Sequence, residues 1–187
     1  MNRTDASSAP ARYAGVAIAL HWLIGVALLA QIAFGFLIDD IAPRGTPARA
    51  ATINLHKSFG IVLALLIAAR LAWRLRHQPP AWPLSMSALQ RRVAHLSHRM
   101  LYACMVVMPL SGYLGSNFSK HGIKFFGLAL PAWGPDLPPV YAFFNGIHIV
   151  TAFVFCALIA AHVAAALKHL LVDRDDVFFR IWPKPSA

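Results

Sequence analysis

The chain has 187 residues, of which 58% are apolar and only 13% charged, with a formal net charge of +10 and a mean hydropathy of +0.58. An ordinary soluble domain carries roughly a quarter charged residues, so this composition excludes one and indicates a single integral-membrane domain. The basic surplus does not signal nucleic acid. It is sorted along the chain, with twelve Lys and Arg in the two tails and the middle connection against five in the other two connections. By the positive-inside rule this puts both termini and the middle connection on the cytoplasmic side of the membrane.

Four apolar runs reach the roughly 20 residues a bilayer crossing needs, so the expected fold is all-α, a transmembrane four-helix bundle. The first run covers about 14–38 and follows a short polar tail that lacks a convincing cleavage pattern, so it reads as a retained anchor. It contains His21. The second, about 53–75, carries His56 and Lys57 near its start and Arg70 and Arg74 near its end. A Pro-rich connector, HQPPAWPLS, follows as an extended cytoplasmic link. The third, about 93–118, opens on AHLSH with His95 and His98. After the loop LPAWGPDLPP, an interfacial segment that carries Trp133, the fourth run covers about 140–172 and holds His148, His162 and His169. Cys104 and Cys156 lie inside the runs and read as small apolar side chains without a disulfide framework. The chain has no Glu, and its seven acids are all Asp in tails or connections. That disfavours a carboxylate proton relay across the membrane.

Depth pairs the histidines. At 1.5 Å per residue, His21 and His162 lie roughly 10 to 12 Å in from the cytoplasmic side. His56 and His148 lie roughly 5 to 12 Å in from the other. Fourteen residues separate His148 from His162, nearly four full turns, so both occupy one face about 21 Å apart. Two imidazoles facing each other across a bundle core are the arrangement that ligates a haem iron from both sides, and coordination supplies the partner a polar ring in hydrocarbon lacks. Two macrocycles stacked at these depths would have ring edges about 10 Å apart. A single membrane histidine is more often an interhelical hydrogen-bonding residue, but four at two matched depths favour two b haems. The competing arrangement is a haem-free, histidine-lined metal or proton transporter.

The elements ALHWLI, INLHKSFG, RLAWR, AHLSH, MPLSGYLGS, GIH and AAHVAAALKH, in this order from Tyr13 to Pro183, resemble the bacterial cytochrome b561 family of small di-haem membrane proteins. The resemblance implies four transmembrane helices, two b haems ligated by His21, His56, His148 and His162, and electron exchange with quinone. It also implies oxidation of superoxide with ubiquinone as acceptor, a superoxide:ubiquinone oxidoreductase. A second reading is a cytochrome b subunit that passes quinol electrons to a periplasmic redox partner.

The remaining polar residues are assigned around this frame. His77 and His121 sit in connections, where solvation accounts for them. His95 and His98 form either a basic helix end or a contact with haem propionates or a quinone headgroup. His169, seven residues after His162, shares its face about 10 Å nearer the cytoplasm and is the leading quinone or propionate contact. Arg70 and Arg74 either pair propionates through their planar fork or snorkel to the interface. Lys57 adjoins His56 within a modestly basic outer surface that would attract a small anion. Gly15 reads as a position of close helix approach, and Gly25, Gly35, Gly112 and Gly115 either permit such approach or leave space for a flat macrocycle.

Overall fold

A computed structural model describes residues 12–83 and 86–183, so the N-terminal tail to residue 11, the last two residues of the Pro-rich connector and the final four residues lie outside it. Four long helices dominate: α1 (Gly15–Ile41), α2 (Ala48–Arg76), α3 (Ala88–Asn117) and α4 (Pro138–Lys168). Helix α4 stops at Lys168, short of the expected 172. The end of α1, both ends of α2 and the start of α3 run past the apolar runs, because a helix continues through polar residues wherever its backbone ladder can be kept. Thus α1 includes Asp39 and Asp40 in its last turn. This corrects the expectation that every acid lies in a tail or connection. Asp39 pairs there with Arg49 of α2, which also donates to the Ala42 carbonyl (2.9 Å) and closes the α1–α2 turn.

The start of α3 is set by a capping box: the Gln90 amide donates to Ser87 Oγ (3.2 Å), and Gln90 Oε1 accepts from the Ser87 amide (2.8 Å). Pro138 opens α4, where a missing amide hydrogen costs nothing. At its other end α4 widens into a π-helical turn, His169–Asp173, which ends on Arg174 with φ of +51°.

Among the described residues three helices are long and apolar enough to cross a membrane: α1, α2 and α4 with its π turn. The third expected crossing forms a 30-residue helix, but Arg91, Arg92, His95, His98 and Arg99 crowd its first half and lower its apolar character.

An all-α expectation needs one small correction. Residues Ile123–Phe125 (β1) and Leu128–Leu130 (β2) pair as an antiparallel hairpin, with Ile123 opposite Leu130. Its tip is Phe126-Gly127, both at positive φ (46° and 95°), the left-handed pair that a tight two-residue turn requires. The hairpin is bolted to α2: the Lys124 amide donates to Asn54 Oδ1 (3.0 Å), the Phe126 amide donates to Ser58 Oγ (2.9 Å), and Lys57 Nζ donates to the Gly122 carbonyl (2.8 Å).

Packing is closest between α3 and α4 and between α1 and α2. The apolar core joins all four helices through Ile24, Leu28, Leu63, Ile67, Met105 and Phe155. Phe155 is 1% exposed, whereas Phe153, two residues away, is 61% exposed. The outer surface is therefore apolar, as a lipid-facing surface must be, and the core forms a waist midway along the bundle.

Candidate functional site

The waist separates two polar levels, and all four helices contribute to each. At the level near both described chain ends, His21 of α1 and His162 of α4 have ring centroids 6.2 Å apart. His98 of α3 lies 5.5 Å from His162. Arg70 of α2 brings Nη2 to 3.3 Å from His21 Nδ1 and sets its guanidinium 5.9 Å over the Tyr102 ring. Two backbone ties close this end: the Tyr13 amide donates to the Arg180 carbonyl (3.2 Å), and Trp22 Nε1 donates to the Ile181 carbonyl (2.9 Å).

At the far level His56 of α2 and His148 of α4 have centroids 6.4 Å apart. Gln31 of α1 donates to the His56 carbonyl (2.7 Å) and lies 3.2 Å from its Nδ1. From α3, the Met108 carbonyl stands 2.9 Å from His148 Nδ1 and Ser111 Oγ stands 3.5 Å from it. Glycines make room for both rings. A Cβ at position 35 would meet His56 Cε1 at 3.0 Å, and one at position 112 would meet His148 Nδ1 at 3.0 Å. These two positions serve a purpose outside both sequence alternatives: they admit the imidazoles. Gly15 and Gly25 have nothing within 4 Å of such an atom, which corrects the expectation of close helix approach at Gly15, while Gly115 faces the Phe144 side chain at 3.2 Å, a helix-packing contact.

The separations test whether one metal ion fits between each pair. Two metal–imidazole bonds of about 2 Å plus the half-widths of two rings come to roughly 6 Å, which both pairs match. The second shell differs between the levels. A carbonyl can only accept, so His148 Nδ1 carries the hydrogen and leaves Nε2 with its lone pair, the form a metal requires. Arg70 can only donate, so as placed it takes the lone pair of His21 Nδ1. Its own Nε is buried and has no hydrogen-bond partner. That guanidinium is under-satisfied, the condition that a carboxylate group would relieve.

The other expected site residues are dispersed. His169 sits in the π turn, where its Nδ1 bonds Asp175 Oδ2 (2.8 Å) and lies 3.4 Å from Asp173. The change from α to π winding means that its face cannot be extrapolated from His162 by regular helical spacing. Lys57 is half-buried and tied to the hairpin through its bond to the Gly122 carbonyl. His95 accepts from Trp82 Nε1 (3.0 Å). With Arg74, His98, Arg99, Tyr102 and Trp82 it lines a cavity of about 560 Å³ just outside the first histidine level. Gln31 and Ser111 went unread in the sequence. Gln31 carried a signal, being the only uncharged polar side chain between Trp22 and Asp39.

A family model described as prokaryotic cytochrome b561 matches residues 12–184. The chain is similar to "Cytochrome b561 homolog 2" of Escherichia coli strain K12, at 30% identity over 97% of this chain and 96% of that protein. It is also similar to "Cytochrome b561 homolog 1" of the same organism, at 27% identity over 92% and 98% of the two chains. A third relative, "Probable superoxide oxidase CybB" of Yersinia pestis, is 27% identical over 92% of this chain and 97% of its own.

Proposed function

Because the chain belongs to the prokaryotic cytochrome b561 family of membrane electron-transfer proteins with b-type haem, we propose that it holds two haems and carries electrons from superoxide to ubiquinone. The observation that carries this reading is the pair of histidine couples at 6.2 and 6.4 Å, one on each side of the Phe155 waist. All four long helices cross the membrane, α3 with its histidines and arginines turned toward the bundle or the headgroups, and both termini are cytoplasmic.

Bound between each couple, haem supplies one-electron redox chemistry. The protein sets ligation, spacing and access. His56 and His148 would hold the periplasmic haem, with the Met108 carbonyl and Gln31 fixing their ring orientation. His21 and His162 would hold the cytoplasmic one. Arg70, whose buried Nε lacks a partner, would donate to a propionate there. His98 remains beside His162 as a polar neighbour.

Two superoxide anions in turn each lose one electron and leave as dioxygen at the periplasmic level, where Lys57 contributes a positive field beside His56. Ubiquinone takes two electrons and two protons at the cytoplasmic level. His169 with Asp175 faces it there, since a carboxylate that holds one ring nitrogen orients the imidazole to pass a proton from the other. The relative named as a probable superoxide oxidase supports this substrate.

The test is pulsed superoxide on the purified protein with ubiquinone present, while haem absorbance and haem per polypeptide are recorded. Rapid haem reduction with ubiquinol formed is the expected result. Haem that stays oxidised under superoxide yet is reduced by quinol would favour a subunit delivering quinol electrons to a periplasmic partner. A protein without haem would favour a histidine-lined transporter.

A further inference from the structure

The cavity of about 560 Å³ beside the first histidine level has a chemistry that the electron-transfer reading leaves unused. Its walls are Leu71, Leu75, Tyr102 and Trp82, and its rim carries Arg74 and Arg99, with no acidic residue among the lining side chains. Neither the Arg74 nor the Arg99 side chain makes a hydrogen bond or ion pair among the described residues, and both are exposed. The third lining guanidinium, Arg180, already serves the fold by donating to the Pro80 and Ala81 carbonyls (2.9 and 2.6 Å).

His21, His162 and Arg70 do not line this space, which touches the histidine level through His98 and through Tyr102 beneath the Arg70 guanidinium. It opens at the ends of α2 and α3, beside Leu75, which is 86% exposed and continues the lipid-facing surface. Tyr13, Trp82 and Tyr102 ring it, the aromatic types that gather at headgroup depth. A basic pocket between transmembrane helices on the cytoplasmic side is suited to an anionic headgroup.

We propose that this cavity is a binding site for an acidic phospholipid, with the phosphate held by Arg74 and Arg99 and the glycerol and first acyl carbons lying along Leu71, Leu75 and Tyr102. Planar guanidinium donors match phosphate oxygens, and the apolar wall matches the start of the chains. A neutral quinone would use the wall and leave both guanidinium groups without a counter-charge.

The experiment is native mass spectrometry of the haem-loaded protein in detergent, titrated with short-chain phosphatidylglycerol and, separately, with phosphatidylcholine of the same chain length. Wild-type protein should bind the anionic lipid preferentially. Arg74→Gln with Arg99→Gln should reduce that preference on the order of tenfold or more, the loss of charge-assisted hydrogen bonds. Arg91→Gln with Arg92→Gln removes the same charge from the same end of α3 without touching the cavity and should leave the preference in place. Haem per polypeptide should be unchanged in both. The lipid site is overturned if wild-type protein shows no preference, or if both double variants lose it equally. It is also overturned if inorganic phosphate or a soluble ubiquinone analogue displaces the lipid, or if the Arg74 and Arg99 changes strip haem, which would give those guanidinium groups to the cofactor.

Discussion

Gly112 of α3 lies directly against His148 of α4, so close that a Cβ there would meet the imidazole Nδ1 at 3.0 Å and Cε1 at 3.1 Å. The neighbouring turn of α3 supplies the Met108 carbonyl that holds the same nitrogen at 2.9 Å. One helix thus both vacates the space for the ring and orients it.

Gly112→Ala should push His148 off the Met108 carbonyl, at a cost of about 1–3 kcal/mol for overpacking. The expected result is a lower melting temperature and loss or spectral change of one haem. Gly15→Ala, where nothing lies within 4 Å, is the reference and should leave haem content unchanged. Equal behaviour of the two variants would remove the space-making role.

The couples should be separable. His56→Ala is expected to remove or convert the haem shared with His148 while the low-spin bands of the other persist, and His162→Ala should do the converse. Difference spectra of the purified variants measure this. Simultaneous loss of both haems from a folded His56 variant would contradict the pairing.

Arg70→Gln removes a buried positive charge next to His21. A nearby cation favours the reduced, less positive iron, so the midpoint potential of the cytoplasmic haem should fall, and Arg70→Lys should restore part of it. Spectroelectrochemical titration of both haems reads the shift. An unchanged midpoint at that haem would place Arg70 among structural residues only.

His169→Ala should slow electron transfer to ubiquinone on the order of tenfold or more without loss of haem, in keeping with general acid catalysis. Asp175→Asn should give a smaller slowing, because it removes the carboxylate that holds Nδ1 at 2.8 Å. Stopped-flow mixing of reduced protein with a soluble quinone tests both, and wild-type kinetics in the His169 variant would move the quinone site elsewhere.

Lys57→Gln should lower the superoxide rate a few-fold and flatten its dependence on ionic strength, since a fixed cation steers a small anion in a salt-dependent way. Because Lys57 also anchors the hairpin at Gly122, Ser58→Ala is the control. It loosens the same hairpin, through the lost bond to the Phe126 amide, without removing charge. If the two variants slow the reaction alike, the hairpin and not the charge carries the effect.

Membrane character and the helix count were legible in the sequence because hydrocarbon imposes length and apolarity on each crossing. The juxtaposition of His21 with His162 and of His56 with His148 followed from the constant rise of a helix, which converts residue number into depth. Regularity was the source of every inference that carried through, and its end marks where inference stopped. At Lys168 the winding changes from α to π, so the bonding of His169 to Asp175 could not be projected from His162. The seat of the hairpin on Asn54 and Ser58 and Lys57 tied to the Gly122 carbonyl depend on contacts between segments distant in the chain. So do Gln31 at His56, Arg70 at His21 and the clearance at Gly35 and Gly112. Periodicity along one helix determines depth and face. Which side chain meets which across the bundle is decided only when four helices settle their rotation and approach against one another.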